Sequence, residues 1–375
     1  MLKNMLTQIS DKILQTKIRY LLPVIIIILL KVISSFFIYQ RLSILGSFYT
    51  PWMDYWSESG PAEPWLYLFS AQDTGHYVAL THVWYQYPLY VFFPAYSVLC
   101  KIIGMAVGDM WLAAFMISVS FGIASIPLFQ AVAEQYMSKA EAALSTLFFA
   151  AFPYVFLFTT ISYTESLFLF FTLAAWYLNL KDRFISSTLA AAVATLTKTY
   201  GIVIVIPIAI SMISKKKFKH LPVLAIPVGT LLGWLYYLYL RTGDAFIFSK
   251  QQEYWMRLGM QFGWFQNFIE PLLNFNVWKF QEFNYLVVAL VFFLAYIVFC
   301  VFKVDSKLGV YSLILFLSLL YFGNFVSLPR FFAFIFPIWL VVRIKNILAL
   351  GVAIVFFLLG SLLIWYQFLL DVWVA

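Results

Sequence analysis

Cysteine, histidine and charge are scarce in this 375-residue chain, which has two cysteines, three histidines and 11% charged residues. Cys100 and Cys300 both fall in apolar stretches with no CxxC spacing, which gives no basis for a disulfide framework and reads them as core thiols. No Cys/His ligand set, HExxH, P-loop or GxSxG is present, so the usual metalloprotease, nucleotide-hydrolase and serine-hydrolase chemistries have no anchor. An Asp-x-Asp pair is absent as well. A soluble, metal-bound nucleotide substrate therefore has no holder, and any phosphate the chain handles is expected on a lipid.

Apolar residues dominate instead: 64% of the chain is hydrophobic and 21% aromatic. Repeated runs of about 20 apolar residues place it among multi-pass membrane proteins. Tyr20–Tyr39 follows Lys3, Lys12, Lys17 and Arg19 and lacks a small-residue cleavage site, the pattern of a retained first span. Further spans are predicted at Trp111–Ala131, Ala142–Ile161, Ser166–Leu180, Leu221–Leu240, Tyr285–Phe302, Leu308–Phe325, Phe331–Val342 and Ile347–Leu369. Tyr85–Val107 carries Pro88, Pro94, Gly104 and Gly108, which fits a re-entrant or juxtamembrane segment as well as a span. Phe184–Ile213 is long for one crossing and short for two.

Charge arbitrates between topologies. With the N-terminus inside, no net crossing at Tyr85–Val107 and a short hairpin at Phe184–Ile213, the inner loops become Glu134–Glu141, Lys181–Arg183, Lys215–His220, Lys303–Lys307 and Arg343–Asn346. Four of these five carry excess Lys or Arg, as the positive-inside rule expects. A rival that makes Tyr85–Val107 a span and Phe184–Ile213 a single tilted one puts Glu165 inside and leaves Lys198 unpaired at the midplane, at a cost of several kcal/mol. The net charge of +8 thus reads as topology and not as nucleic-acid binding. The expectation is an all-α, polytopic membrane helix bundle of about 11 transmembrane helices. It forms a single domain over 1–375 with two outer loops, 40–108 and 241–284. Trp255, Trp264, Phe265 and Trp278 give the second loop an interfacial character.

The few ionisable groups near lipid fall on one expected face. Asp73 and His76 lie at i, i+3 in Asp73-Thr74-Gly75-His76-Tyr77, followed by Phe92-Phe93-Pro94-Ala95-Tyr96. That spacing suits a general base with an imidazole partner, or simply a capped helix start. Glu165 in Tyr163-Thr164-Glu165-Ser166 opens an apolar run, where a helix N-terminus favours a carboxylate. Lys198, before Gly201, and Arg330, after Pro329, could each clamp a phosphate or anchor at the interface.

Taken in order, these motifs resemble the PIG-V type mannosyltransferases, the GPI mannosyltransferase 2-like family of the GT-C superfamily, and their prokaryotic relatives. That family carries Trp-Asp-x-x-His-(Phe/Tyr), then Phe-Phe-Pro-x-Tyr-Pro, which Asp73–Tyr77 and Phe92–Tyr96 match. Pro153 and Tyr163–Phe168 match its next string, Lys198-Thr199-Tyr200-Gly201 its Arg-Ser-Asn-Gly, and Arg330-Phe331 its late Arg-Phe pair. Gln72 stands for the family's Trp, Ser97 for its second Pro, and Lys198 with Tyr200 for its Arg and Asn.

The resemblance implies an inverting, GT-C type glycosyltransferase. It would move mannose or a related hexose from a polyprenyl or dolichyl phosphate sugar to a glycolipid or glycan acceptor on the non-cytoplasmic face. No metal or other cofactor is implied. Asp73 would be the general base; His76, Tyr77, Tyr96, Tyr163 and Glu165 would contact substrate; Lys198 and Arg330 would receive the lipid phosphate. The rival functions are a polytopic lipid or small-molecule transporter or flippase, whose sites sit at midplane between repeats, and a non-catalytic assembly subunit that would tolerate loss of Asp73.

Overall fold

The computed structural model describes residues 16–45, 60–251, 282–322 and 327–370. Trp255, Trp264, Phe265 and Trp278 of the second predicted outer loop, and Asp54 and Glu58 of the first, lie outside the described residues. Among the described residues there are helices and turns and no strand, the form open to a chain whose backbone groups must be satisfied within lipid.

Four helical stretches are long and apolar enough to cross a membrane by length and composition: Ile18–Arg41, Met110–Ala133, Phe218–Thr242 and Ile347–Leu369. The first belongs to α1 (Ile18–Leu45), which presents Leu21, Ile25, Leu29, Val32 and Phe36 outward. Such continuous exposed apolar faces are foreign to water-soluble monomers and are what lipid covers. After α2 (Asp73–His82), the expected re-entrant region Tyr85–Val107 folds as an irregular stretch with a 3-10 turn at Leu89–Val91 and then α3 (Pro94–Val107), which ends at left-handed Gly108. Asp109 then caps α4 (Met110–Ala133) by accepting from the Trp111 and Leu112 amides.

Proline breaks two of the predicted spans. Ala142–Ile161 divides at Phe152–Pro153 into α5 (Lys139–Ala151) and α6 (Pro153–Phe158), since Pro153 lacks an amide to continue the ladder. Phe331–Val342 divides into α14 (Leu328–Ala333) and a 3-10 turn at Phe336–Val341 led by Pro337. Between them in sequence come α7 (Glu165–Leu180), α8 (Phe184–Thr197), α9 (Val205–Ser214), α10 (Ala225–Thr242), α11 (Ile247–Lys250), α12 (Glu282–Val304) and α13 (Ser306–Phe322). α15 (Ile347–Leu369) closes the order.

Residues 184–214 form a return rather than one crossing. The chain reverses at extended Lys198, and a 3-10 turn at Thr199–Ile204 folds back on α8. Gly201 permits this, because a Cβ there would run into the Ala194 carbonyl. Both ends of the return meet again, with Lys215 Nζ 2.7 Å from Asp182 Oδ1 and the His220 ring 4.9 Å from that of Phe184.

All five loops predicted to share the inner side are tied together at one end of the bundle. Arg19 pairs with Glu134 at 2.7 Å, Lys181 reaches Gln135 at 3.5 Å, and Lys345 reaches Glu141 at 3.6 Å. The Tyr136 hydroxyl donates to Asp305 at 3.1 Å, and its carbonyl accepts from Arg343 at 3.1 Å. α7, with 16 residues, starts at Glu165 and ends beside Lys181. Its length of about 24 Å separates Glu165 from the polar end.

Candidate functional site

Four charged side chains from four separated segments converge at the end of the bundle opposite those loops. Glu165, at the first position of α7, is 1% exposed and takes Lys198 Nζ at 2.9 Å and Arg330 Nε at 3.5 Å on the same oxygen, Oε1. Its other oxygen faces the Thr164 hydroxyl at 3.3 Å. Arg330 Nη1 reaches Asp73 Oδ2 at 3.9 Å, and the Asp73 carboxylate is the more open end of the chain of charges, at 15%. The order is Lys198–Glu165–Arg330–Asp73. Two cations and two anions make the cluster neutral, which is how buried ions avoid the desolvation cost of standing alone.

Local sequence explains each placement. The helix N-terminus favours Glu165 electrostatically, Lys198 sits at the reversal that Gly201 allows, and Pro329 starts the short helix that carries Arg330. Asp73 opens α2 just after Gln72, whose φ of +50° lies in a region costly for a side-chain-bearing residue. The Asp73 amide donates to the Tyr163 hydroxyl at 3.1 Å, and the Thr74 hydroxyl donates to the Ser162 carbonyl at 3.1 Å. The first loop is thereby bolted to the segment that leads into Glu165.

Arg330 has unused capacity. Its guanidinium is ringed by Phe331, Phe158 and Tyr163 at 4.6, 5.2 and 5.5 Å from the ring centroids, a cation–π cage. Its residue is 4% exposed, and its buried Nε makes no hydrogen bond of good geometry. A fork of donors held this way suits an incoming oxyanion.

The other predicted site residues divide by role. Tyr77 is buried with its hydroxyl 3.4 Å from that of Thr164, next to the charged row. Tyr96 is fully buried and its hydroxyl donates to the Ala114 carbonyl at 2.8 Å, beside Ser118, which bridges both the Tyr163 amide and carbonyl. Tyr96 therefore props Tyr163 from behind, one layer away from the charges. The His76 ring stacks on Phe92 at 5.3 Å, and burial lowers its pKa to about 4, so it offers a neutral imidazole. Burial pushes the Asp73 carboxyl above its ordinary value, while Arg330 and Lys198 pull against that and Glu165 adds to it. Asp73 thus answers chiefly to Arg330 across the site.

Sequence reading passed over Lys31. It lies mid-way along α1, is 6% exposed, and donates to the Phe156 carbonyl at 2.9 Å and to the Thr159 and Thr160 hydroxyls at 2.8 and 2.6 Å. The available signal was a single lysine inside the apolar run Tyr20–Tyr39, an expensive placement in lipid. Among the described residues no group of three or more His, Cys, Asp or Glu side chains is arranged to hold a metal ion. Comparison of the chain with protein-family models, curated proteins and solved structures finds no match in any of the three.

Proposed function

We propose that this protein is a membrane glycosyltransferase of the GT-C type that transfers a hexose, mannose in the first instance, from a polyprenyl or dolichyl phosphate sugar to a glycolipid or glycan hydroxyl. The observation that carries this reading is the row Lys198–Glu165–Arg330–Asp73, with an under-used guanidinium beside the most open carboxylate. In the reaction, the acceptor hydroxyl attacks the anomeric carbon from the face opposite the phosphate, the carbon–oxygen bond to phosphate breaks, and configuration inverts. Asp73 takes the hydroxyl proton. The lipid phosphate leaves with one more negative charge than it had as a diester, and Arg330 with Lys198 stabilises that charge. Glu165 holds both cations in register, and the neutral His76 with Tyr77 supplies hydrogen bonds to sugar hydroxyls.

Depth favours transfer over transport. The site stands about 24 Å along α7 from the polar end, past the midplane of a hydrocarbon layer about 30 Å thick. Transport sites lie near the midplane. In this reading about 11 helical segments traverse or enter the bilayer, the end with Lys215–Lys219 is cytoplasmic, and the site faces the other side.

Two measurements test these statements. Purified protein in lipid, given radiolabelled polyprenyl phosphate mannose and a membrane extract, should pass label to a new product; absence of any product removes the transferase reading. For the topology, single cysteines at the exposed positions Ala62 and Lys216, in a background lacking Cys100 and Cys300, should label with an impermeant reagent from opposite sides. Labelling of both from the same side would overturn the arrangement.

A third expectation concerns the donor. Arg330→Met should lower kcat/KM for the lipid phosphate sugar by about 10- to 100-fold, the size of a lost charge-assisted contact. Lys198→Met should cost less, because its ammonium is already committed to Glu165 at 2.9 Å. Equal, unchanged turnover at subsaturating donor in both variants would take them out of the site.

A further inference from the structure

We infer that Lys31, on the first membrane helix, is a positioning residue for the charged row, an inference that rests on the transferase reading. A cation this deep in an apolar helix is costly, and among the described residues no carboxylate lies within ion-pair distance of it. Its ammonium has three protons, and all three have acceptors: the Phe156 carbonyl and the Thr159 and Thr160 hydroxyls. None remains for a lipid headgroup, so Lys31 acts on the segment that supplies those oxygens.

That segment is the final turn of α6 and the loop after it. The two threonine hydroxyls donate in turn to helix carbonyls, Thr159 to Val155 and Thr160 to Phe156, each at 2.5 Å. Lys31 therefore gathers the carbonyl end of a six-residue helix into one knot. A cation at a helix C-terminus is favourably placed. Five residues past Phe156 the chain enters Ile161–Glu165. Between Phe156 and Glu165 lie Phe158 and Tyr163, two rings of the Arg330 cage, and the stretch ends on Glu165 itself. From the opposite side Gly122 of α4 lets the Thr159 carbonyl approach, since a Cβ there would overlap it. Ser118 grips Tyr163. The turn is thus clamped between α1 and α4, and Lys31 is the α1 jaw.

Positioning and general stability are separated by three readouts. Lys31→Met should lower kcat by about 10- to 100-fold, the cost of a small misplacement of reacting groups, with donor KM within about twofold of wild type. Lys31→Arg, which keeps a cation over the same oxygens, should recover most of that loss. Hydrogen exchange in Lys31→Met should quicken across 156–165 while α7 beyond Phe168 and α8 keep wild-type protection. Wild-type turnover in Lys31→Met, or a loss that Lys31→Arg does not relieve and that spreads as faster exchange through α7 and α8, would overturn the inference. If wild-type protein transfers no sugar, the transferase reading falls separately, and unchanged exchange across 156–165 in Lys31→Met would then overturn the clamp itself.

Discussion

Glu165→Gln should be the most destabilising single change at the site. It leaves the Lys198 ammonium and the Arg330 guanidinium, now 2.9 and 3.5 Å from a neutral amide oxygen, facing each other in a buried pocket. Removing one partner of a buried ion pair costs about 3–5 kcal/mol, a large share of the roughly 5–15 kcal/mol that holds a typical domain folded. The expected result is a marked fall in the detergent melting temperature together with loss of activity. The cause can be isolated with a second substitution. Glu165→Gln combined with Lys198→Met again has equal numbers of cations and anions, Arg330 against Asp73, and should regain much of the stability but not the activity. A double variant that is less stable than either single one would show that packing around Glu165, rather than its charge, governs the loss.

The sequence made some of this legible for definite physical reasons. Loop charges are few and costly to misplace, so the five basic or mixed loops that parity put on one side are the loops that meet through Arg19–Glu134, Lys215–Asp182 and the Tyr136 contacts. Lys198 beside Gly201 announced a reversal because an unpaired midplane lysine is too expensive, and the chain does reverse there. Long-range pairing was not legible. Asp73 and Arg330 are 257 positions apart and meet at 3.9 Å, and no local spacing rule reaches that far; the i, i+3 rule pointed to His76, whose ring lies on Phe92. The sequence places Arg330 just before an apolar run, open to a phosphate clamp or an interfacial anchor; Pro329 and Pro337 start two short turns, which let its side chain point into the bundle. Lys31 was hidden by its context, since hydropathy averages over 20 neighbours and erases one charge. What reveals it is the cluster of oxygens that α6 presents, which exists only once the helices pack.

Asp73→Asn should abolish most turnover while sparing the fold and donor binding. In the proposed transfer the acceptor hydroxyl holds its proton far more tightly than a carboxylate does, so the proton must leave as the anomeric carbon is attacked. On that proposal Asp73 is the carboxylate assigned to receive it: Glu165 is enclosed and already accepts from Lys198, whereas Asp73 keeps 15% exposure and meets Arg330 only at 3.9 Å. Asparagine preserves shape and hydrogen bonding but cannot take the proton, and loss of general-base help lowers rates by about 10²- to 10⁴-fold. The fold should tolerate the change, because the neighbouring anchors of α2 are the Asp73 amide and the Thr74 hydroxyl, neither of which is altered. The pH profile gives an independent check. Burial raises the Asp73 pKa above its ordinary value, and the base works only when ionised, so activity should fall as pH drops through that raised value, at a higher pH than a free aspartate would give. In Asp73→Asn the residual rate should lose that acid limb. Glu63→Gln, altering an exposed carboxylate of the same loop, should leave both rate and profile unchanged. If Asp73→Asn keeps near-normal turnover while Glu63→Gln is inactive, the base lies elsewhere in the loop; if both keep full activity with the same acid limb, proton removal by this loop has no part in the reaction.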